Sequence, residues 1–315
     1  MRLDLPLRPA AAAPFDVVGF GESSLDFLAV TSGWPARDTT TPLVTFEIAP
    51  GGQTTTALVA CARLGLRAHY IGAFGDDEWA GVIRRALAAE GVHVTAVERC
   101  GVPSRTAVIL IDQAGDRTVL ERRDPALSLR VAAGETVGEG LLAAGRVLIV
   151  DATDVPAATQ AAQAARRLGV PSVLDVDRSA EGIDGLLAAV DVIVASDAFA
   201  KGYAGAASVG EALAALERRF APRLVAATMG PAGSLARAGG REFRTAARPV
   251  AVRDTTGAGD AFRGGFVAAW IRSEGQAPVE ALLEYAAAVA GLNCQALGAQ
   301  AGLPGPAEVA RILSM

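Results

Sequence analysis

The residues best suited to chemistry lie in one run, DTTGAGDAFRGGF, at positions 254–266. Gly257, Ala258 and Gly259 are small residues leading from a loop into a helix that starts near Asp260. A helix start presents N–H groups without intrahelical acceptors, with the helix dipole behind them, and so suits an anion. Glycine lets the backbone approach that anion with no Cβ in the way. Asp260, on the first turn, fits two roles. It is either a capping charge at the helix N-terminus or a general base beside the anion site, able to take a proton from an attacking hydroxyl. Residue types alone leave both open.

Other motifs are weaker. GFGESS (19–24) follows a strand and partly imitates the dinucleotide-binding G-x-G-x-x-G, but Ser24 replaces the third glycine. No acidic residue ends a second strand at the required spacing either. Arg105, Arg122 and Arg123 could bind an anionic substituent; a solvated face is the alternative account. His69 and His93 lack an acidic or cysteine partner nearby in sequence and read as structural. The cysteines, Cys61, Cys100 and Cys294, are three and widely spaced, which excludes a disulfide scaffold and a zinc finger and suits a reducing cytosol. Cys61 reads as a small core residue.

Positioning these residues requires a sizeable core. At roughly 100–200 residues per domain, 315 residues fit one large domain or two modest ones. Apolar residues make up 51% and charged residues 20%, which excludes disorder. A net charge of −5 disfavours nucleic acid or an anionic membrane as partner. No run approaches the ~20 apolar residues of a membrane span. The first fourteen residues, Ala- and Pro-rich without a continuous apolar stretch, read as a loose arm rather than a signal peptide.

Short β-like runs alternate with amphipathic segments from residue 15 onward, the pattern of a parallel sheet covered by helices. Strands are expected at 15–21, 69–74, 147–150, 172–175, 191–195 and 224–228. Helices are expected at 54–65, 79–90, 156–168, 209–220, 259–271, 279–292 and 307–312. Two stretches, 26–50 and 104–123, are instead rich in Thr, Val and Ile, and QAGDR (113–117) has the character of a hairpin turn. Together they are expected to form a small separate β-sheet, a lid over a site.

The 254–266 run resembles the C-terminal signature D-T-x-G-A-G-D-x-F of the ribokinase-like (PfkB) carbohydrate kinases. GGQTTTALVACARLG (51–65) is similar to the family's N-terminal G-G motif. Asp26, GDDEWAG (75–81), TMGPAG (228–233) and GAQAGLP (298–304) match in order, so the resemblance spans about residues 15–312. It implies an α/β fold with a three-layer α/β/α core, a mainly parallel sheet and a small β lid, making residues 15–315 one kinase domain. It also implies ATP and Mg2+ as cofactors. Asp260 would then be the base, and the backbone of Gly257, Ala258 and Gly259 the anion hole for the migrating phosphoryl group. Asp26, Gly51, Gly52, Gln53 and Thr56, with Arg105 from the lid, would line the sugar site. Thr228, Gly230, Gly233, Asn293, Cys294 and Gly298 would line the nucleotide site. By resemblance alone, a monovalent cation such as K+ is open near Asp254 and Thr256.

Two departures stand out. Thr56 replaces a frequent Asn, and SDAF (196–199) stands where the family's N-x-x-E is expected; neither the motif's amide nor its carboxylate is present, so Mg2+ placement must rely on other groups or waters. In both respects the chain looks like the ketohexokinase and sulfofructose kinase subgroup. The expectation is a cytoplasmic ATP-dependent sugar kinase acting on a ketose-like small molecule at a primary hydroxyl, with a homodimer formed through the lids. The alternatives are a nucleoside kinase of the same superfamily and a non-catalytic sugar- or nucleotide-sensing protein.

Overall fold

A computed structural model describes residues 1–113, 115–129 and 138–314. Its strands are β1 (Val17–Phe20), β2 (Ser24–Thr31), β3 (Leu43–Gly51), β4 (Ala68–Gly75), β5 (His93–Arg99), β6 (Thr106–Ile111), β7 (Arg117–Arg122), β8 (Val147–Asp151), β9 (Ser172–Val176), β10 (Val192–Ser196), β11 (Leu224–Thr228), β12 (Ser234–Ala238) and β13 (Arg241–Thr245). Its helices are α1 (Gln53–Arg63), α2 (Glu78–Ala89), α3 (Glu139–Ala143), α4 (Val155–Arg167), α5 (Ile183–Ala189), α6 (Asp197–Ala204), α7 (Val209–Phe220), α8 (Ala258–Arg272), α9 (Val279–Asn293) and α10 (Pro306–Leu313).

Strands β1, β4, β8 and β9 are buried at every position, which is why they read as continuous apolar runs rather than alternating ones. They belong to a large sheet of order β13-β12-β11-β10-β9-β8-β1-β4-β5, parallel from β11 to β5, with β12 and β13 antiparallel at one edge. One apolar cluster, with α1, α8 and α9, fills one face; a second, with α4, α5 and α7, fills the other. The chain enters at β1, runs outward through β4 and β5, then returns to β8 on the other side of β1. The strand order therefore reverses between β1 and β8, where open α/β sheets form their ligand crevice.

The two Thr/Val-rich stretches form a separate sheet of order β3-β2-β6-β7. The β6–β7 pair is antiparallel as the hairpin expectation requires; Ala114, in its turn, lies outside the described residues. GFGESS opens into strand β2 and not into a helix, unlike a dinucleotide-binding turn.

The N-terminal segment corrects the expectation of a loose arm. Leu3 is buried, Val279 N–H donates to Met1 O at 2.8 Å, and Arg146 Nε donates to Arg8 O at 2.7 Å. An apolar anchor and arginine donors tie down a sequence whose Ala/Pro content suggested slack. Strand β5, the β12–β13 hairpin and helices α3, α5 and α6 are additions to the expected elements. Each is short or half-exposed, so none carries a strong periodic signal.

Candidate active site

At the crevice, Asp151 ends β8 and ties the neighbouring elements together. Its Oδ2 accepts from Glu22 N (2.6 Å) and Thr54 Oγ1 (2.6 Å), and its Oδ1 from Thr153 N (3.0 Å). This pins the turn after β1 and the start of α1 to the end of β8. Gly52 caps α1 with φ +98°, a conformation that favours glycine. Gly51 packs so tightly on Asp26 that a Cβ there would lie 2.0 Å from Asp26 Oδ2. Asp26 is buried, and its Oδ1 accepts from Ser24 Oγ at 2.7 Å. Burial pushes its carboxyl above the usual range.

The run 254–260 builds the second half of the site. Asp254 is wholly buried; its Oδ1 accepts from Thr256 N (2.8 Å) and Thr256 Oγ1 (2.7 Å), and its Oδ2 from Gly298 N (2.8 Å). Asn293 Nδ2 donates to Thr256 O (3.3 Å) and Ala299 O (3.0 Å). The loop before α8 is thus stitched to residues 298–299. Gly257 is the N-cap of α8 at φ +75°, and a Cβ there would meet Ala299 O at 2.5 Å. The first helical bond of α8 is Ala261 N to Gly257 O (2.8 Å), so the N–H groups of Gly259 and Asp260 precede the ladder and are free for a ligand. Such a cradle fits phosphate oxygens.

Asp260 stands on the first turn of α8 with its carboxylate mostly buried. Arg263 Nη1 donates to its Oδ1 at 3.0 Å, and Arg263 Nη2 pairs with Asp175 Oδ1 at the end of β9. Gln53 Nε2 also donates to Asp175 Oδ1, at 3.2 Å. Burial raises the Asp260 carboxyl to about 6; Arg263 opposes the rise, while Asp177 and Asp151 add to it. That value suits a base working near neutrality. Glu22, wholly buried beside Asp151, is raised by burial to about 8 against the pull of Arg105.

The structure therefore brings Asp26, Gly51, Gly52, Gln53, Gly257, Ala258, Gly259, Asp260, Asn293 and Gly298 into one connected region. Thr56, buried one turn into α1, accepts from Gln300 Nε2 at 3.3 Å. Cys294 Sγ donates to its own helix at Ala290 O, while its carbonyl receives Arg253 N at 2.8 Å. Arg105 is committed rather than free: Glu22 Oε1 lies 2.7 Å away and Glu121 Oε2 2.8 Å. Thr228, Gly230 and Gly233 sit two strands beyond β9, at the C-terminal end of β11. There Met229 N–H closes the turn on Gly233 O at 2.8 Å. Ser196 of SDAF caps α6 by accepting from Phe199 N, and Asp197 pairs with Lys201. Sequence reasoning did not find Glu22, Asp151, Asp175 or Arg263. The available signal was Arg263 itself, a cation set between Phe262 and Gly264 in the buried stretch of α8.

For a metal, the described residues hold no group of three or more His, Cys, Asp or Glu side chains. Among the described residues, the buried site oxygens without a donor are Asp175 Oδ2, Glu22 Oε2 and Asn293 Oδ1, and these are what the protein offers a cation. Mg2+ fits such a sparse set, because it is held largely by nucleotide phosphates and water. Both oxygens of Asp254 already accept protein donors, so its placement is explained without a cation.

Comparison with known proteins bears on the fold and the family. The chain is similar to a fructokinase of Klebsiella pneumoniae, 32% identical over 237 residues, covering 70% of this chain and 76% of that one. It is similar to a ribokinase of Bacillus subtilis, 27% identical and covering 93% and 98% of the two chains. Its structure superposes on that of a putative ribokinase from Agrobacterium tumefaciens with a TM-score of 0.88 and 27% identity, covering 96% and 98%. The pattern of the pfkB family carbohydrate kinases matches residues 15–306. A family match of that extent, on a fold that closes a glycine cradle around Asp260, places this chain in the pfkB family of carbohydrate kinases.

Proposed function

We propose that this kinase transfers the γ-phosphoryl group of ATP to a hydroxyl of a neutral polyhydroxylated sugar, a ketose at a primary hydroxyl, with Asp260 as general base. The observation that carries the reading is the placement of a buried carboxylate, raised to about 6, one turn into the helix whose glycine-rich start forms the anion cradle. Asp26 and the backbone at Gly51 and Gly52 would hold sugar hydroxyls, with Gln53 at the same helix start. Asp260 accepts the proton of the acceptor hydroxyl as its oxygen bonds to the γ-phosphorus. The bond from that phosphorus to the bridging oxygen breaks and ADP leaves. Of the expected amides at Gly257, Ala258 and Gly259, that of Ala258 donates to Thr255 O at 3.2 Å, so those of Gly257, Gly259 and Asp260 would stabilise the charge on the migrating group. Bound Mg2+ would neutralise phosphate charge during transfer.

The pairing of three arginines supports a neutral substrate, although Arg123, which lines the same crevice, has a backbone carbonyl, Thr153 O, as its partner. Arg105 is shared by Glu22 and Glu121, Arg178 by Glu121 and Asp177, and Arg263 by Asp260 and Asp175. An anionic substituent would have to displace a carboxylate from one of them. A relative named fructokinase supports the ketose.

The small sheet is read as the lid, since Arg117 of β7 reaches Thr255 Oγ1 and Glu121 reaches Arg178 across the site. Its outer face carries an apolar row of Ile48, Phe27, Val108 and Leu120 in mutual register. Ile48, Val108 and Leu120 are 49%, 40% and 56% exposed, which favours a homodimer through this face. Three unpaired cysteines suit a cytosolic compartment. ADP release measured over ketoses, aldoses, sugar acids, sulfosugars and nucleosides tests the reading. A neutral ketose is expected to give the highest kcat/KM; preference for a sugar acid, a sulfosugar or a nucleoside would overturn it.

A further inference from the structure

Strand β7 alternates its side chains between two faces, as strands do. Thr118, Leu120 and Arg122 share the outer face, with Leu120 in the apolar row. Arg117, Val119 and Glu121 share the inner one. Its two charged members reach the core at separate points. Glu121 Oε1 pairs with Arg178 at 2.6 Å, and Arg117 Nη1 donates to Thr255 Oγ1. Four positions of extended chain separate them, about 13 Å. Thr255 lies two residues before Gly257, and its carbonyl accepts from Ala258 N at 3.2 Å, inside the cradle turn. The hairpin turn lies against the same loop, since a Cβ on Gly115 would be 3.8 Å from Arg253 O. Burial and Asp254 push the Cys294 thiol up to about 11, and Arg117 opposes the rise. The guanidinium therefore faces the corner where residues 254 and 294 meet.

A polyphosphate entering the cradle meets carboxylates. Asp254 and Asp260 flank it in sequence, and Asp151, Asp175 and Asp177 stand at the ends of β8 and β9. The arginines among them are committed: Arg263 to Asp260 and Asp175, Arg178 to Glu121 and Asp177. Arg117 differs from both. It is exposed, and its partner is a neutral hydroxyl. A guanidinium carries its N–H donors in a planar fork that matches phosphate oxygens, so most of this one is free for an anion. Arg253 is also exposed on this loop, but among the described residues no contact fixes its guanidinium at the cradle.

We infer that Arg117 is a phosphate-binding residue carried by the lid: it meets the terminal phosphates of the nucleotide at the cradle, with Thr255 Oγ1 as its resting partner. This rests on the reading of the cradle given above. One strand of the lid then serves both halves of the site, Glu121 at the sugar end and Arg117 at the phosphate end.

The test is isothermal titration calorimetry of the full chain with AMP-PNP and Mg2+, and with AMP, which lacks the terminal phosphates. Arg117→Ala should weaken AMP-PNP by roughly tenfold or more, the scale of a lost hydrogen bond to a charged group, and leave AMP within about twofold. Arg117→Lys keeps the charge without the fork and should fall between. Arg122→Ala removes the same charge from the outer face of the same strand and should leave both ligands within about twofold. Thr255→Val removes the resting partner but no phosphate contact, and should keep AMP-PNP within about threefold.

AMP-PNP bound by Arg117→Ala as tightly as by wild type would overturn the inference. So would equal weakening in Thr255→Val and Arg117→Ala, or a loss of AMP as large as that of AMP-PNP. Either result would make the arginine a structural tie between lid and loop. Weakening in Arg117→Ala with Gly257→Ala binding AMP-PNP as wild type does would keep the arginine and break the cradle reading instead. A wild type that binds no AMP-PNP would end both.

Discussion

Replacing Gly257 by alanine separates the cradle from a merely glycine-rich loop. Gly257 sits at φ +75° and ψ 0°, a left-handed conformation that costs a residue with a Cβ about 1–2 kcal/mol. The added Cβ would also lie 2.5 Å from Ala299 O and 2.7 Å from Ala299 Cα. Ordinary contact is about 3.5 Å, so the 298–300 segment or the loop before α8 must withdraw by close to an ångström. That movement pulls on the bond from Asn293 to Ala299 O and on the one from Gly298 N to Asp254. A displacement of ~1 Å at a reacting centre costs on the order of 100-fold in rate. Gly257→Ala is therefore expected to lose about 100-fold in kcat/KM by coupled ADP release and about 1–2 kcal/mol in urea unfolding. Gly202→Ala, in α6 with nothing within 4 Å of its Cβ, is the control and should gain roughly 0.5–1 kcal/mol with unchanged activity. Gly257→Ala with kcat/KM within threefold of wild type would refute the reasoning.

Other expectations are as direct. Gly51→Ala places a Cβ on Asp26 Oδ2 and should raise the sugar KM by roughly tenfold or more, about 1.4 kcal/mol of binding, while KM for ATP holds. His69 is buried against Phe15 and His93, and burial lowers its pKa to about 4, with His93 adding to the effect. Its charged form is thus disfavoured in the folded chain. The stability this gives is present above pH 6.5 and lost as pH falls toward 4, so the wild-type melting temperature should fall over that window more than that of His69→Gln. Ile48→Lys, in the exposed apolar row, should yield a monomer by light scattering if the lid face pairs two chains.

The core was legible because its strands are apolar throughout and its helices end on glycine, as at Leu64–Gly65 and Leu168–Gly169. The β-rich stretches at 26–50 and 104–123 announced a separate sheet by breaking that rhythm. Strand β5 was not legible: HVTAVER alternates poorly, and much of it faces solvent at the sheet edge. The β12–β13 hairpin is charged and short, and antiparallel pairing at an edge needs no apolar run. The anion cradle could be read because all its parts lie within a few residues. The pairing of Arg263 with Asp175 could not, since the two meet only after β9 and α8 pack. Nor could the commitment of Arg105 to Glu22 and Glu121, which depends on β6, β7 and the turn after β1 converging.

Asp260 as the base of an ATP-dependent sugar phosphorylation is tested most directly by ADP release from wild type and Asp260→Asn, with ATP, Mg2+ and the best neutral sugar of the screen at pH 7. Wild type should turn over, and Asp260→Asn should fall by ~10²–10⁴, the scale of general-base loss, while binding an ATP analogue with unchanged affinity. A variant that keeps more than half of the wild-type turnover would contradict the account.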